Sequence, residues 1–216
     1  MPRRRSRSKS RSRPRRSFTW LFLLFLAALG SQIWKEIQKP VEVSPPRSAK
    51  STKVFEVMPD MRWVEDSNND GDSFKLRYRD QVHELRLYFA DCPEKRRHAY
   101  NGDRLREQGD YFGGLSEPRT LALGRQAQAF SRQWLMEKPF TVFTRWQGVF
   151  NSGRHYAFIV FPDGEDLSAK LVREGLARIH TTGTTLPDGR SAAQYEAELQ
   201  RLEAEARAAR RGGWAP

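Results

Sequence analysis

From residue 52 onward the chain is a succession of short apolar runs of strand length, each closed by turn residues, and that succession limits the folds open to it. Thr52–Met58, Ser73–Tyr78 and Glu84–Phe89 read as strands, with a turn at Asn68-Asn69-Asp70-Gly71 and a tight connection around Asp80-Gln81. Leu121–Lys138 has a helical period, with Leu123, Ala127, Phe130 and Trp134 on one face. Two further strands, Phe140–Trp146 and His155–Phe161, flank a turn at Asn151-Ser152-Gly153. Asp166 is placed to cap a short helix ending at Gly175. Ser191-Ala192-Ala193-Gln194 is a capping box that opens a helix running to about Arg211, with Tyr195, Leu199, Leu202 and Ala206 as its buried stripe. Residues 95–118 are polar, hold four glycines, and read as a surface loop or a substrate-contacting lid. The expected fold is mainly β with α, a five-stranded closed barrel with three packed helices.

The N-terminal quarter is organised differently. Nine of the Lys and Arg residues lie in residues 1–17, which contain no acid. Taking them from the net charge of +12 leaves only +3 for the rest, so the folded part is no strongly basic DNA-coating protein. The uncharged span Ser17–Trp34 follows directly, 18 residues long, at the short end for a membrane-spanning helix of about 20. Ala28-Leu29-Gly30 also offers small residues for signal cleavage, and Arg15-Arg16-Ser17-Phe18 resembles a twin-arginine export signal. Both readings share one orientation, with positive charge retained in the cytoplasm and the remainder outside. The expected organisation is a basic Arg/Ser-rich cytoplasmic tail (1–17), a hydrophobic helix serving as anchor or signal peptide (18–34), a Pro-punctuated linker (35–51) and a folded domain (52–216). The protein is then secreted, periplasmic, or held in the cell membrane by residues 18–34, and acts as a monomer. The Arg-Ser alternation of residues 3–13 also resembles segments of RNA-processing proteins, but the apolar run that follows favours export. One cysteine, Cys92, excludes an internal disulfide framework.

Asp72 and Asp91 stand at the ends of two strands that a hairpin near residue 81 would pair, which sets their Cβ atoms about 5 Å apart. Two carboxylates that close repel, and a hard divalent cation relieves them; oxygen-only ligands favour Ca²⁺ or Mg²⁺. Asp66 to Gly71 also matches the first half of an EF-hand loop, but the twelfth position is Arg77, which cannot supply the bidentate carboxylate.

The segment Asp70-Gly71-Asp72-Ser73, then Arg86, then Asp91-Cys92-Pro93-Glu94 resembles the active-site signature of the staphylococcal (micrococcal-type) nuclease family. Gly153-Arg154 before a strand, Leu176-Ala177-Arg178 after a helix, and a closing Gly-Gly-Trp214 extend the likeness over roughly residues 52–214. The resemblance implies an OB-fold barrel and calcium-dependent hydrolysis of DNA or RNA. By position it implies that Asp72, Asp91 and the backbone carbonyl of Cys92 hold Ca²⁺. It implies Glu94 as general base for the attacking water, and Arg86 and Arg154 on the phosphate. The chemistry is coherent, because an anionic phosphodiester resists attack until its charge is neutralised, and the planar guanidinium fork suits two phosphate oxygens.

Departures from the family pattern are specific. Ser73 replaces a threonine, and Cys92 puts a thiol beside the metal position, where oxidation is a concern. The stretch after Glu94 is longer than in the family's small prototype. Tyrosines of the prototype's nucleotide pocket are replaced, with Ser152, Thr181 and Gly183 in their places and Trp146, His155 and Tyr111 as aromatic candidates. The competing expectation is an OB-fold module that binds nucleic acid without cutting it.

Overall fold

The computed structural model describes residues 55–216; the basic tail, hydrophobic helix and linker, and the start of the first strand, lie outside the described residues. The strands are β1 (Glu56–Pro59), β2 (Arg62–Trp63), β3 (Ser73–Tyr78), β4 (Gln81–Leu87), β5 (Ala90–Asp91), β6 (Thr141–Gly148), β7 (His155–Val160) and β8 (Arg178–Ile179). The helices are α1 (Gly102–Tyr111), α2 (Glu117–Glu137), α3 (Leu167–Arg173) and α4 (Ala192–Ala208), with a 3₁₀ turn at Gly212–Trp214.

Six strands form one mixed sheet in the order β1-β6-β7-β4-β3-β2, and β5 pairs with β8 in a separate ladder. The expected five-stranded barrel is therefore corrected: among the described residues no pairing joins β1 to β2, so the sheet is not closed. The two edge strands are nonetheless consecutive, separated only by Asp60 and Met61, and Asp60 takes a left-handed backbone (φ 58°) at that corner. One bent segment thus supplies both edges, an arrangement compatible with the OB fold.

Alternation fills the core. Phe74 and Leu76 of β3 and Leu85 and Leu87 of β4 are buried, as are Val142 of β6 and Ala157 and Ile159 of β7. The capping box of α4 forms as the sequence predicts, and its buried residues are Tyr195, Leu199, Leu202 and Ala206. Burying a side chain such as Leu199 contributes about 1.5–3 kcal/mol. Asp166 caps α3 by accepting the backbone N–H groups of Ser168 and Ala169 at 2.8 and 3.2 Å. The stretch after Glu94, expected as a loop, instead holds the ten-residue helix α1. Leu105 is its one buried large apolar side chain, joined by Gln108 and Gly109, so no apolar stripe announces it.

Two breaks in strand geometry place the site. The β3–β4 hairpin pairs Tyr78 with Gln81 and Ser73 with Arg86, a tighter turn than one centred near residue 81. Leu87, rather than residue 90, accordingly donates its N–H to the Asp72 carbonyl at 2.8 Å. The chain then leaves the sheet at Phe89, again left-handed (φ 63°), and Ala90–Asp91 pairs with Arg178–Ile179.

Candidate active site

The floor of the site is the Asp70–Ser73 turn. Asp70 Oδ1 accepts the backbone N–H groups of Asp72 and Ser73 at 3.3 and 2.9 Å. Helix α2 clamps it from beneath: the Ser131 hydroxyl donates to the Gly71 carbonyl at 2.6 Å, and the Gln128 amide to the Asn69 carbonyl at 2.7 Å. A Cβ at Gly71 would lie 2.7 Å from both Ala127 Cβ and Cys92 Sγ, so this turn reaches its depth only with glycine. The EF-hand likeness does not extend to a free oxygen cage. Asp66 pairs with Lys75 at 2.6 Å, and Asn69 Oδ1 accepts the Lys75 N–H at 3.0 Å.

Asp72 and Asp91 do converge, but on an arginine. Arg86 Nη1 donates to Asp72 Oδ1 at 3.0 Å and Nη2 to Asp91 Oδ1 at 2.5 Å. Asp72 Oδ2 accepts the Cys92 N–H at 2.6 Å. Asp91 arrives from the β5–β8 ladder, opposite Arg178, and not from the far end of the hairpin. All three side chains are buried.

Glu94 and Arg154 join through intermediaries. Arg154, in the loop before β7, donates Nη1 to the Ser73 hydroxyl at 3.1 Å, and Arg86 Nη1 donates to the same oxygen at 3.1 Å. Glu94 Oε1 lies 2.8 Å from Arg104 Nε, an ion pair out of line for a hydrogen bond. The Glu94 N–H donates to Gln108 Oε1 at 3.0 Å. The backbone at Pro93–Glu94 presses onto Gly124 of α2, where a Cβ would stand 2.4 Å from both carbonyl oxygens. The five side chains named from the sequence therefore lie on one continuous path of contacts: Arg154, Ser73, Arg86 with Asp72 and Asp91, Arg104, Glu94.

Three residues of this cluster escape a sequence reading. Arg104 Nη2 donates to Asp91 Oδ1 at 2.6 Å, Arg178 Nε to Asp91 Oδ2 at 2.7 Å, and Gln108 Nε2 to Asp91 Oδ2 at 3.1 Å and to the Cys92 carbonyl at 3.0 Å. Arg178 had a signal, its place after the α3 segment; Arg104 and Gln108 had none, lying in a polar stretch without period. Tyr111 packs on the Phe112 and Trp214 rings and accepts the Ile179 N–H at 3.2 Å. The Trp146 indole N–H donates to Glu56 at 2.6 Å, and its ring sits against His83 and His155.

The charges shape one another. Burial pushes the Asp91 carboxyl up, but Arg104, Arg86 and Arg178 together outweigh it and hold it below the usual range. Asp70 is pushed well above that range, by burial first and the charge of Asp72 second. Arg86 is disfavoured by burial, yet Asp72 and Asp91 more than restore its positive form. The Cys92 thiol is buried, and burial followed by the Asp72 charge drives its pKa well up. That disfavours the thiolate on which oxidation depends, in contrast to the oxidation sensitivity expected of a thiol beside a metal.

The oxygens implied for calcium are of the right chemical kind, but in this arrangement they do not fit a resident divalent ion. Each oxygen of Asp91 accepts two N–H donors and is saturated, so an ion finds no place on it, whereas the Asp72 oxygens and the Cys92 carbonyl accept one donor each. Among the described residues no group of three or more His, Cys, Asp or Glu side chains could hold a metal ion. Nor, among them, is any helix long and apolar enough to cross a membrane.

A family model described as staphylococcal nuclease homologue matches residues 84–216, more than half of the chain. The matched stretch contains Arg86, Asp91, Cys92, Glu94 and Arg154, and Asp72 lies just upstream of it. No curated protein matches the chain.

Proposed function

The chain belongs to the staphylococcal nuclease homologue family, and from that premise we propose that it hydrolyses phosphodiester bonds of DNA or RNA at the cluster around Arg86. One observation carries the proposal: Arg86 from β4 and Arg154 from the loop before β7 meet at the Ser73 hydroxyl, each at 3.1 Å. Two guanidiniums directed at one polar point make a seat for a phosphate, with neutral hydroxyl rather than carboxylate between them. Charge-assisted, forked hydrogen bonds of this kind are the strong ones for phosphate, and they strengthen as charge builds on the equatorial oxygens.

In the proposed reaction Arg86 and Arg154 hold the phosphate. A water attacks phosphorus and gives its proton to the Glu94 carboxylate; the bond from phosphorus to the leaving oxygen breaks, that oxygen takes up a proton from solvent, and Glu94 returns its proton to solvent. Calcium dependence is typical of the family. Here Asp72, Asp91 and the Cys92 carbonyl are the candidate ligands, and a cation reaches Asp91 only if one of its N–H donors withdraws. No step above is routed through a metal.

The second reading, nucleic-acid binding without cleavage, draws on the ion pair that ties Glu94 to Arg104. We also propose that the domain works outside the cytoplasm. The basic residues 1–17 followed by the apolar residues 18–34 support that placement, either through a retained anchor or a cleaved signal.

The test is digestion of plasmid DNA and of RNA by the full-length protein and by Glu94→Gln. Cleavage by the unaltered protein is expected, reduced about 10²-fold or more in the variant, with nucleic-acid binding retained. Binding without cleavage by the unaltered protein would return the second reading.

A further inference from the structure

Arg104 has no role in the reaction proposed above, yet it bridges Asp91 and Glu94. We propose that Arg104 holds the place of a divalent cation between Asp91 and Glu94, so that its docked guanidinium and a bound calcium ion exclude one another. This deepens the proposed reading of the site and rests on it.

Asp91 is saturated. Its Oδ1 accepts from Arg86 at 2.5 Å and Arg104 at 2.6 Å, and its Oδ2 from Arg178 at 2.7 Å and Gln108 at 3.1 Å. A carboxylate oxygen offers about two lone-pair positions, so none is left for a metal. Arg104 also reaches Glu94 through Nε, and one cation spanning two carboxylates is the task a divalent ion would perform.

The three arginines differ in their freedom to leave. The side chains of Arg86 and Arg178 are 8% and 5% exposed, that of Arg104 41%. Departure of Arg86 or Arg178 would strip a buried carboxylate of an equally buried partner, whereas Arg104 can turn into water. Its Nε is held to Glu94 by charge without an aligned hydrogen bond, so the directional bond lost on release is the one from Nη2 to Asp91 Oδ1. Gln108 stands four residues further along α1, on the same helical face, and its amide fixes the helix to Asp91 and the Cys92 carbonyl. The inserted helix is thereby anchored at one point while it presents a displaceable cation at the other.

Charge balance leads the same way. Arg86, Arg104 and Arg178 face Asp72, Asp91, Glu94 and Glu107, three positive charges against four negative, so a divalent ion added to them would make five against four. A divalent ion added with Arg104 in place would leave a buried excess of positive charge, which is strongly disfavoured.

The experiment is isothermal titration of calcium chloride into the full-length protein, Arg104→Ala, Arg104→Met and Arg104→Lys, each checked for cooperative unfolding. The Ala and Met variants are expected to bind calcium at least about tenfold tighter than the unaltered protein, with the Lys variant falling back toward it because the charge is retained. Equal calcium affinity in all four proteins, or no calcium binding in any, overturns the proposal. Cleavage by the unaltered protein, assayed with and without chelator in the same preparations, judges the nuclease reading separately.

Discussion

Arg154 Nη1 and Ser73 Oγ are 3.1 Å apart although 81 positions separate them in sequence. This contact brings a loop arginine to the floor on which Arg86 is seated. Arg154 is only half-buried, and its removal uncovers no buried acid. Arg154→Ala is therefore expected to leave stability within about 0.5 kcal/mol while lowering kcat on plasmid DNA by about 10²–10³. Arg154→Lys should recover part of the rate at most, because a point charge replaces the fork. Parallel urea unfolding separates the two effects; a stability loss that tracks the activity loss would deny Arg154 a place on the phosphate.

Arg86 behaves differently, since it compensates Asp72 and Asp91 where water does not reach. Arg86→Ala is expected to destabilise the domain by about 3–5 kcal/mol, the usual consequence of stranding buried acids. Arg86→Ala combined with Asp91→Asn should be less destabilised than additivity predicts. Additive losses in denaturant unfolding would show that the pair is not coupled.

Gly124→Ala changes no charge and alters no proposed reactive side chain. Its Cβ would sit 2.4 Å from the carbonyl oxygens of Pro93 and Glu94, so the Glu94 backbone must move or α2 must shift. Overpacking of this kind costs about 1–3 kcal/mol. Cleavage should fall further than the stability loss explains, because Glu94 is displaced from its partners; unchanged kcat in the folded variant would contradict that placement.

Acidity has two opposing contributions here. Asp91 is held below the ordinary aspartate value near 3.8, so the unfolded chain takes up that proton first as pH falls. The stability it contributes is fully present above that value and is lost as pH drops through the folded-state pKa. Asp70 has the opposite sign: its folded pKa is raised, so its contribution is present below about 3.8 and lost as pH rises through the raised value. Urea unfolding should find Asp70→Asn more stable than the unaltered protein at pH 7, with the advantage vanishing at pH 3. An advantage independent of pH would remove the assignment.

Cys92 should resist alkylation in the folded state, since burial and the neighbouring Asp72 both oppose its thiolate. Iodoacetamide labelling followed by mass spectrometry is expected to be slow in native buffer and fast in denaturant. Rapid native labelling would show that the Gly71–Cys92 contact opens.

What the sequence made legible follows from how local each signal is. The Ser191 capping box and the Asp166 cap involve neighbours three residues apart or fewer, and both form as read. The strand Ser73–Tyr78 is bounded as expected because alternation and turn residues agree. The convergence of Asp72, Arg86 and Asp91 was legible as a family pattern, but its route was not. The pairing set from a turn near residue 81 missed the left-handed Phe89, which turns Asp91 into another ladder. The closed barrel is not what forms: Pro59-Asp60 marks a turn locally, but nothing local shows that the two strands it joins remain unpaired edges. Helix α1 was invisible for a physical reason: it is held largely by polar contacts of Arg104, Glu107 and Gln108, and polar contacts leave no hydrophobic period.

The corner at Asp60–Met61 bears on how this domain tolerates crowding. Free sheet margins invite strands of neighbouring molecules, and long flat ones seed fibres. Here one margin is four residues, closing at Pro59, and the other only two, with the chain bending sharply between them. Among the described residues this sheet leaves little unpaired backbone on offer, so copies of the domain gathered at one surface, or released together at high concentration, should not join through its margins.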